Sequence, residues 1–125
     1  MDAGGLGRGR IAGRVTGATR DRVTGSNGNI DRDKVAAVIN SHLAEVRRCY
    51  ERELLKRSDI QGKATLEWVI TVGGDVRRAR TKTSTLNGPG VEACLLDHLK
   101  KWKFPRATQG DVTISYPFVF NSVAF

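Results

Sequence analysis

The most regular pattern of apolar and polar residues lies between Gly62 and Val76. Apolar side chains occupy alternate positions there: Ala64, Leu66, Trp68, Ile70 and Val72. The positions between them are mostly polar, as expected of a strand that buries one face. Gly73 and Gly74, followed by Asp75, tolerate positive φ and predict a tight turn. We therefore expect a β-hairpin whose apolar face is covered by the rest of the chain.

The second strand of this hairpin is expected from Val76 to about Thr85, and it is irregular and rich in charge. Val76 and Ala79 can share one face of the strand only if a β-bulge separates them. Four cations form a candidate basic surface: Arg77, Arg78, Arg80 and Lys82. Because charged side chains protect a strand against unwanted pairing, we expect this strand at an exposed edge of the sheet.

Apolar residues at intervals of three and four predict two helices. The first extends from about Asp31, a good N-cap residue, to Arg57. Its apolar side contains Val35, Val38, Ile39, His42, Val46, Cys49, Tyr50 and Leu54. The second begins near Pro89 and ends before Pro105. Its apolar side contains Val91, Cys94, Leu95, His98, Leu99 and Trp102. Both helices are expected to cover the apolar face of the hairpin.

A final strand is predicted from Asp111 to Phe120, with alternate residues pointing inward: Val112, Ile114, Tyr116, Phe118 and Phe120. Pro117 cannot donate a ladder hydrogen bond, which places this strand at an edge. A right-handed crossover through the second helix lays it beside the first strand. The expected fold class is α+β, an antiparallel three-stranded sheet of order 2-1-3 with two helices packed on one face and a possible extra N-terminal strand.

Residues 1–29 are rich in glycine and arginine and are interpreted as a linker or extended N-terminal segment. The tetrapeptide R-V-T-G occurs in it twice, at residues 14–17 and 22–25. Part of the segment, near Ile11, Val15 or Val23, can add a strand to an edge of the sheet. Residues 26–29 form a break before the domain expected at residues 30–125.

The composition is that of an ordinary globular domain with an excess of positive charge. The chain has 21 Lys and Arg against 13 Asp and Glu, a net charge of +8. Such a charge suggests a polyanion as a partner. The charges are spread along the chain, however, as is typical of a solvated surface. No apolar run approaches the roughly 20 residues that a membrane span needs. The start lacks the apolar core of a signal peptide, so we expect a piece of a longer protein whose anchor or export signal lies upstream.

No catalytic motif is recognisable, and we expect neither an enzyme nor a cofactor or metal site. The glycine-rich start lacks the G-x-x-x-x-G-K-S/T phosphate-binding pattern, and no serine lies in G-x-S-x-G. His42 and His98 lie on the apolar sides of the helices and are expected to be core residues. A zinc site formed by His42, Cys49, Cys94 and His98 is disfavoured, because the seven residues from His42 to Cys49 span about 10.5 Å along a helix.

The two cysteines, Cys49 and Cys94, can be buried free thiols or can form a single disulfide. A bridge would close a loop of about 45 residues and stabilise the fold by roughly 4 kcal/mol in the chain-entropy model. It would also imply an oxidising compartment.

Nucleic acid is not the expected partner, although the order of strands and helices equals that of RNA-recognition folds. Such folds stack bases on aromatic side chains of the open sheet face. Here that face is predicted to carry Thr65, Glu67, Thr71, Thr113 and Ser115. The alternative function is binding of a polyanion or an anionic surface by a cationic set that comprises Arg77, Arg78, Arg80, Lys82, Lys100, Lys101 and Lys103.

Several motifs together resemble a known family. The stretch from Gly62 to Val76 is followed by S-T-L, then by V-E-A-C-L-L-D-H-L-K-K-W-K-F-P, and then by V-T-I-S-Y-P-F-V-F. In this order the motifs resemble the TonB carboxy-terminal domain superfamily. The sequence R-R-C-Y-E at residues 47–51 narrows the resemblance to the myxobacterial AgmX/PglI-type C-terminal domain associated with gliding motility. The resemblance covers roughly Ile30 to Phe120.

This resemblance implies a periplasmic protein-interaction module at the end of a protein that an upstream segment anchors in the inner membrane. Such modules bind an outer-membrane or other envelope protein and transmit force drawn from the proton gradient. The partner segment adds to the exposed edge of the last strand. That edge corresponds here to Val112, Thr113, Ile114, Ser115, Tyr116, Pro117 and Phe118.

The resemblance also implies that the family's cysteine pair corresponds to Cys49 and Cys94. The R-V-T-G repeats have no counterpart in it, and if they pair with the last strand the partner edge is already occupied. The sequence does not indicate an oligomeric state.

Overall fold

The computed structural model of the chain describes residues 11–25 and 30–124. Five strands form one antiparallel sheet: β1 (Ile11–Val15), β2 (Thr24–Gly25), β3 (Gly62–Ile70), β4 (Val76–Ser84) and β5 (Val112–Ala124). Their order is β1-β5-β3-β4, and β2 also pairs with β5. Three helices complete the fold: α1 (Arg32–Ser41), α2 (Leu43–Leu54) and α3 (Pro89–Leu99). The predicted α+β class and the order β4-β3-β5 are confirmed.

Strands β3 and β5 supply the sheet side of the hydrophobic core. Their buried side chains are the predicted ones: Ala64, Leu66, Trp68 and Ile70 from β3, and Val112, Ile114, Tyr116, Phe118 and Phe120 from β5. The apolar sides of all three helices belong to the same cluster. Val72 was expected in the buried set but is 54% exposed, because β3 ends at Ile70.

The irregular strand β4 contains the predicted bulge. Glu67 pairs with Arg80 and Val69 pairs with Arg77, so three steps along β4 match two along β3. Arg78 lies in this bulge, and its φ is 54°. As a result Val76 and Ala79 both pack against the core. In the described part of the chain β4 pairs only with β3, which confirms that it is an edge strand.

The prediction of a single long helix before the hairpin is wrong. The chain there forms two helices, α1 and α2, with a break at His42. The Ser41 hydroxyl donates to the Val38 carbonyl, at 2.6 Å. The backbone N–H of His42 donates instead to Ile39, at 3.0 Å. A side chain that competes for a helical carbonyl in this way bends the helix. The predicted N-cap is confirmed, because the Asp31 carboxylate accepts from the Asp33 and Lys34 amides.

The last strand is longer than predicted and is not an exposed edge. Residues 120–124 of β5 pair with β1, and residues 114–115 pair with β2. The extra N-terminal strand is therefore confirmed, whereas the expectation that Val112 to Phe118 forms an open edge is wrong. Each R-V-T-G copy supplies one of these contacts. Its valine, Val15 or Val23, packs against the core. Residues 1–10 of the expected linker or extended segment and the break at residues 26–29 lie outside the described residues.

Pro117 accounts for the gap between β1 and β2. The Thr16 amide donates to the Val119 carbonyl at 3.1 Å, so residue 119 directs its backbone groups toward the N-terminal segment. Because these groups alternate between the two edges of a strand, Pro117 faces the same side. Its nitrogen carries no hydrogen, and the N-terminal segment leaves the sheet opposite it.

A disulfide between Cys49 and Cys94 joins α2 to α3. Of the two alternatives left open by the sequence, the structure therefore contains the bridge, and no cysteine is free. Disulfides are typical of oxidising compartments, so the bridge indicates an extracytoplasmic location.

Replacing both cysteines, Cys49→Ala with Cys94→Ala, should lower the free energy of unfolding by about 4 kcal/mol in the chain-entropy model. The bridge closes a loop with a sequence separation of 45, which restricts the unfolded chain. Denaturant unfolding of both proteins measures the difference, with reduced wild type as the matched control. Finding two alkylatable thiols in the non-reduced protein by mass spectrometry would contradict the bridge.

Candidate interaction surface

The edge of β5 that was expected to bind a partner is covered by residues 11–25. On the β2 side, the Thr24 and Ser115 hydroxyls lie 2.6 Å apart. In the gap, the Tyr116 hydroxyl donates to the Gly17 carbonyl at 3.4 Å. Residues Val112, Ile114, Tyr116 and Phe118 point into the core, whereas Thr113, Ser115 and Pro117 lie half-exposed on the opposite face. The predicted site is therefore an interior strand.

Helices α1 and α2 fasten this N-terminal segment. The Asn40 side chain accepts from the Ala18 amide at 2.7 Å and donates to the Ala18 carbonyl at 2.9 Å. The Gly13 amide donates to the Glu51 carboxylate at 3.0 Å. A Cβ at Gly13 would lie 2.7 Å from the Tyr50 ring, so only glycine lets β1 approach α2 this closely. The sequence offered no signal for these contacts, because the residues that make them are far apart along the chain.

The predicted basic surface on β4 is partly neutralised. The Arg80 guanidinium bonds the Glu67 carboxylate at 2.9 Å. Lys103 of the alternative polyanion site forms an ion pair with Asp75. Arg77 and Arg78 line a recess of about 210 Å³ with Val69, Asp111 and Thr113. Lys82 is exposed. The cations therefore do not form one uncompensated surface.

The open face of the sheet carries no aromatic side chain in the described part of the chain. Thr65, Glu67, Thr113 and Ser115 lie half-buried there, as predicted. The described aromatic residues are instead buried: Tyr50, Trp68, Trp102, Phe104, Tyr116, Phe118 and Phe120. The described part of this face therefore offers no aromatic platform on which nucleobases could stack.

A polar cluster centred on Glu45 was missed by sequence reasoning. Its carboxylate contacts His42 Nδ1 at 2.6 Å, His98 Nδ1 at 3.0 Å and Trp102 Nε1 at 3.2 Å. The His42 ring also stacks on Trp102, with centroids 4.4 Å apart. The helical spacings of His42 to Glu45 and of His98 to Trp102 hint at these pairs, but their meeting depends on how α2 packs against α3.

The pKa of Glu45 reflects two opposing effects. Partial burial acts to raise the pKa, whereas the hydrogen bonds from His42, Trp102 and His98 and the charge of His42 act to lower it. The lowering effects prevail, so the pKa lies below its ordinary value of 4.5. The cluster therefore holds a carboxylate that joins α2 to the end of α3.

The histidines and cysteines do not form the zinc site considered from the sequence. One ring nitrogen of His98 and the sulfurs of Cys49 and Cys94 lie within 4.8 Å of one another. Both sulfurs are joined in the disulfide, however, and a metal requires the thiolate form. His42 lies apart from this group, stacked on Trp102.

Comparison with known proteins identifies no relative, because no family model, curated protein or solved structure matches the chain. The family named from the motifs therefore stays a prediction. None of the described helices is both long and apolar enough to cross a membrane.

The substitution Glu45→Gln should reduce the loss of folding stability that occurs at acidic pH. A carboxyl group whose pKa is lowered by folding stabilises the protein above its unfolded pKa, and this stability is lost as the pH falls through the folded pKa. Wild type should therefore lose stability as the pH falls from the ordinary carboxyl pKa of 4.5 through the lower folded pKa, and Glu45→Gln should lose less. Denaturant unfolding across this range measures the difference. The matched control is Glu53→Gln on the same helix, whose carboxylate pairs with the exposed Lys56. Identical pH profiles for the two variants would contradict the role of the cluster.

Proposed function

We propose that this chain is a non-enzymatic protein-interaction module of the periplasm. It belongs to a trans-envelope complex for gliding motility or energy transduction, and an upstream segment anchors it in the inner membrane. The motif resemblance over Ile30 to Phe120 supports this assignment, and so does the disulfide, which suits an oxidising compartment. An envelope protein is the partner.

The observation that carries the proposal is that the outer edge of β5 accepts an added strand. Residues 11–15 pair antiparallel with residues 120–124, in a regular register from Ile11 opposite Ala124 to Val15 opposite Phe120. The geometry by which a partner segment would bind is thus already realised within the chain. A partner binds here by replacing β1.

The β1 half of the segment is the one that exchanges. Near β2, Ala18 and Val23 are buried, and Asn40 holds the Ala18 backbone through two hydrogen bonds. In β1, Val15 is only partly buried. Release of β1 breaks its ladder to β5 and the Gly13–Glu51 hydrogen bond, but it leaves the buried Ala18 and Val23 in place. In this proposal the partner binds along residues 119–124, next to the stretch from Val112 to Phe118 that the resemblance implied.

Loosening β1 should open this edge, and Gly13→Ala is the variant that tests it. The added methyl group would meet the Tyr50 ring, whose hydroxyl is held by the Ile60 carbonyl at 2.5 Å. Overpacking of this kind costs about 1–3 kcal/mol, so a labelled peptide with the sequence of residues 10–17 should bind about tenfold more tightly than to wild type. Fluorescence anisotropy measures the affinity. Gly17→Ala is the control, because its Cβ would lie 3.7 Å from the nearest side-chain atom.

Crosslinking of a partner protein from an envelope extract tests the proposed function itself. A photo-crosslinking amino acid at Asn121, which lies opposite Arg14, should join a protein from an envelope extract, and the peptide of residues 10–17 should compete with that product. A disulfide that locks β1, made by Arg14→Cys with Asn121→Cys, should prevent binding of the same protein. If the locked chain binds that protein as strongly as wild type does, the β5 edge is not the partner site.

A further inference from the structure

A recess between α2 and α3 has no role in the function proposed above. Its volume is about 450 Å³, and the Cys49–Cys94 disulfide forms one of its walls. The bridge fixes the two helices relative to each other at this point. A cavity with a covalently fixed wall is preorganised, so a ligand that enters it loses little affinity to rearrangement of the protein.

Leu55 makes this recess unusual. It lies directly after α2, lines the recess and is 88% exposed. In the described part of the chain, Val72 is the only other large apolar residue that is exposed. The Leu55 amide donates to the Glu51 carbonyl at 3.3 Å, so the backbone at Leu55 is still held by the last turn of α2. Contact of this side chain with an apolar group of a ligand would be favourable, because it removes apolar surface from water.

The rim of the recess is positively charged. Arg48 and Arg52 lie one helical turn apart, about 6 Å along the axis of α2. Neither forms an ion pair with another described residue. The carboxylates next to them in the sequence are engaged elsewhere, Glu51 by the Gly13 amide and Glu53 by Lys56. Two guanidinium groups are therefore left to attract an anionic ligand.

We propose that this recess binds an acidic amphipathic helix of a partner protein. One large apolar side chain of that helix enters the recess and packs against Leu55 and the disulfide. Two carboxylates, four residues apart on the same face, meet Arg48 and Arg52. The equal spacing of cations and carboxylates follows from the helical repeat. The apolar wall favours a peptide over a phosphate polymer, which would leave Leu55 exposed.

The probe is a fluorescein-labelled peptide of about 14 residues, long enough to form a marginal helix, with leucine flanked by two glutamates on one face. Wild type should bind it, and Arg48→Glu with Arg52→Glu should lose at least about tenfold in affinity. Leu55→Ser should also lose roughly tenfold, because the apolar contact is removed. The matched control is Arg47→Glu, which changes the charge of the same helix outside this recess. Methyl shifts of Leu55 in NMR spectra should report the contact.

Three results would overturn the proposal. One is equal binding of the peptide and its glutamine analogue, and another is an equal loss for Arg47→Glu and the double charge reversal. The third is binding to phosphatidylglycerol vesicles that needs both arginines but not Leu55, since this would make the rim a lipid-binding surface. The exchange of β1 is tested separately, because the peptide of residues 10–17 should bind Gly13→Ala whether or not Arg48 and Arg52 are changed.

Discussion

The structure depends on the requirement that β5 be paired along both edges, although one of its residues has no backbone N–H. Along one edge β3 pairs with it continuously, from Gly62 opposite Phe120 to Ile70 opposite Val112. Along the other, Pro117 interrupts the ladder and divides the added segment into β1 and β2. The alternation that this pairing enforces directs Tyr116 and Phe118 into the core. The sheet, its core face and the course of the N-terminal segment thus follow from one strand.

Three consecutive residues in one turn of α2 make contacts that hold the helical layer to this sheet. Cys49 forms the disulfide to α3, and the Tyr50 hydroxyl donates to the Ile60 carbonyl. The Glu51 carboxylate accepts a hydrogen bond from the Gly13 amide of β1. Three consecutive residues of a helix point in directions about 100° apart, so each meets a different neighbour. Burial raises the pKa of Tyr50, which keeps its hydroxyl a donor at physiological pH. This turn links α3, the loop before β3 and the N-terminal segment.

The sequence was sufficient for what depends on local periodicity. The alternation in β3 and β5 identified the inward residues, and the spacing of Val76 and Ala79 revealed a bulge in β4. It was insufficient where contacts between residues far apart in the sequence determine the course of the backbone. The break at His42 accompanies contacts to Trp102 and, through Asn40, to Ala18, and no periodicity records such pairs. Pro117 does face away from β3, but an open edge does not follow from this, because a residue without an N–H can also lie opposite a gap in a neighbouring segment.

If both proposed sites are used, they oppose each other through Glu51. Its carboxylate accepts from Gly13 in β1, and the same side chain lines the recess between α2 and α3. If a partner strand replaces β1 without restoring that hydrogen bond, the carboxylate is free to attract Arg48, three residues away on the same helix. An acidic helix then has to compete with an internal anion for the same cation. Because binding linkage is reciprocal, occupation of the recess would in turn favour the docked form of β1 and weaken strand exchange at β5.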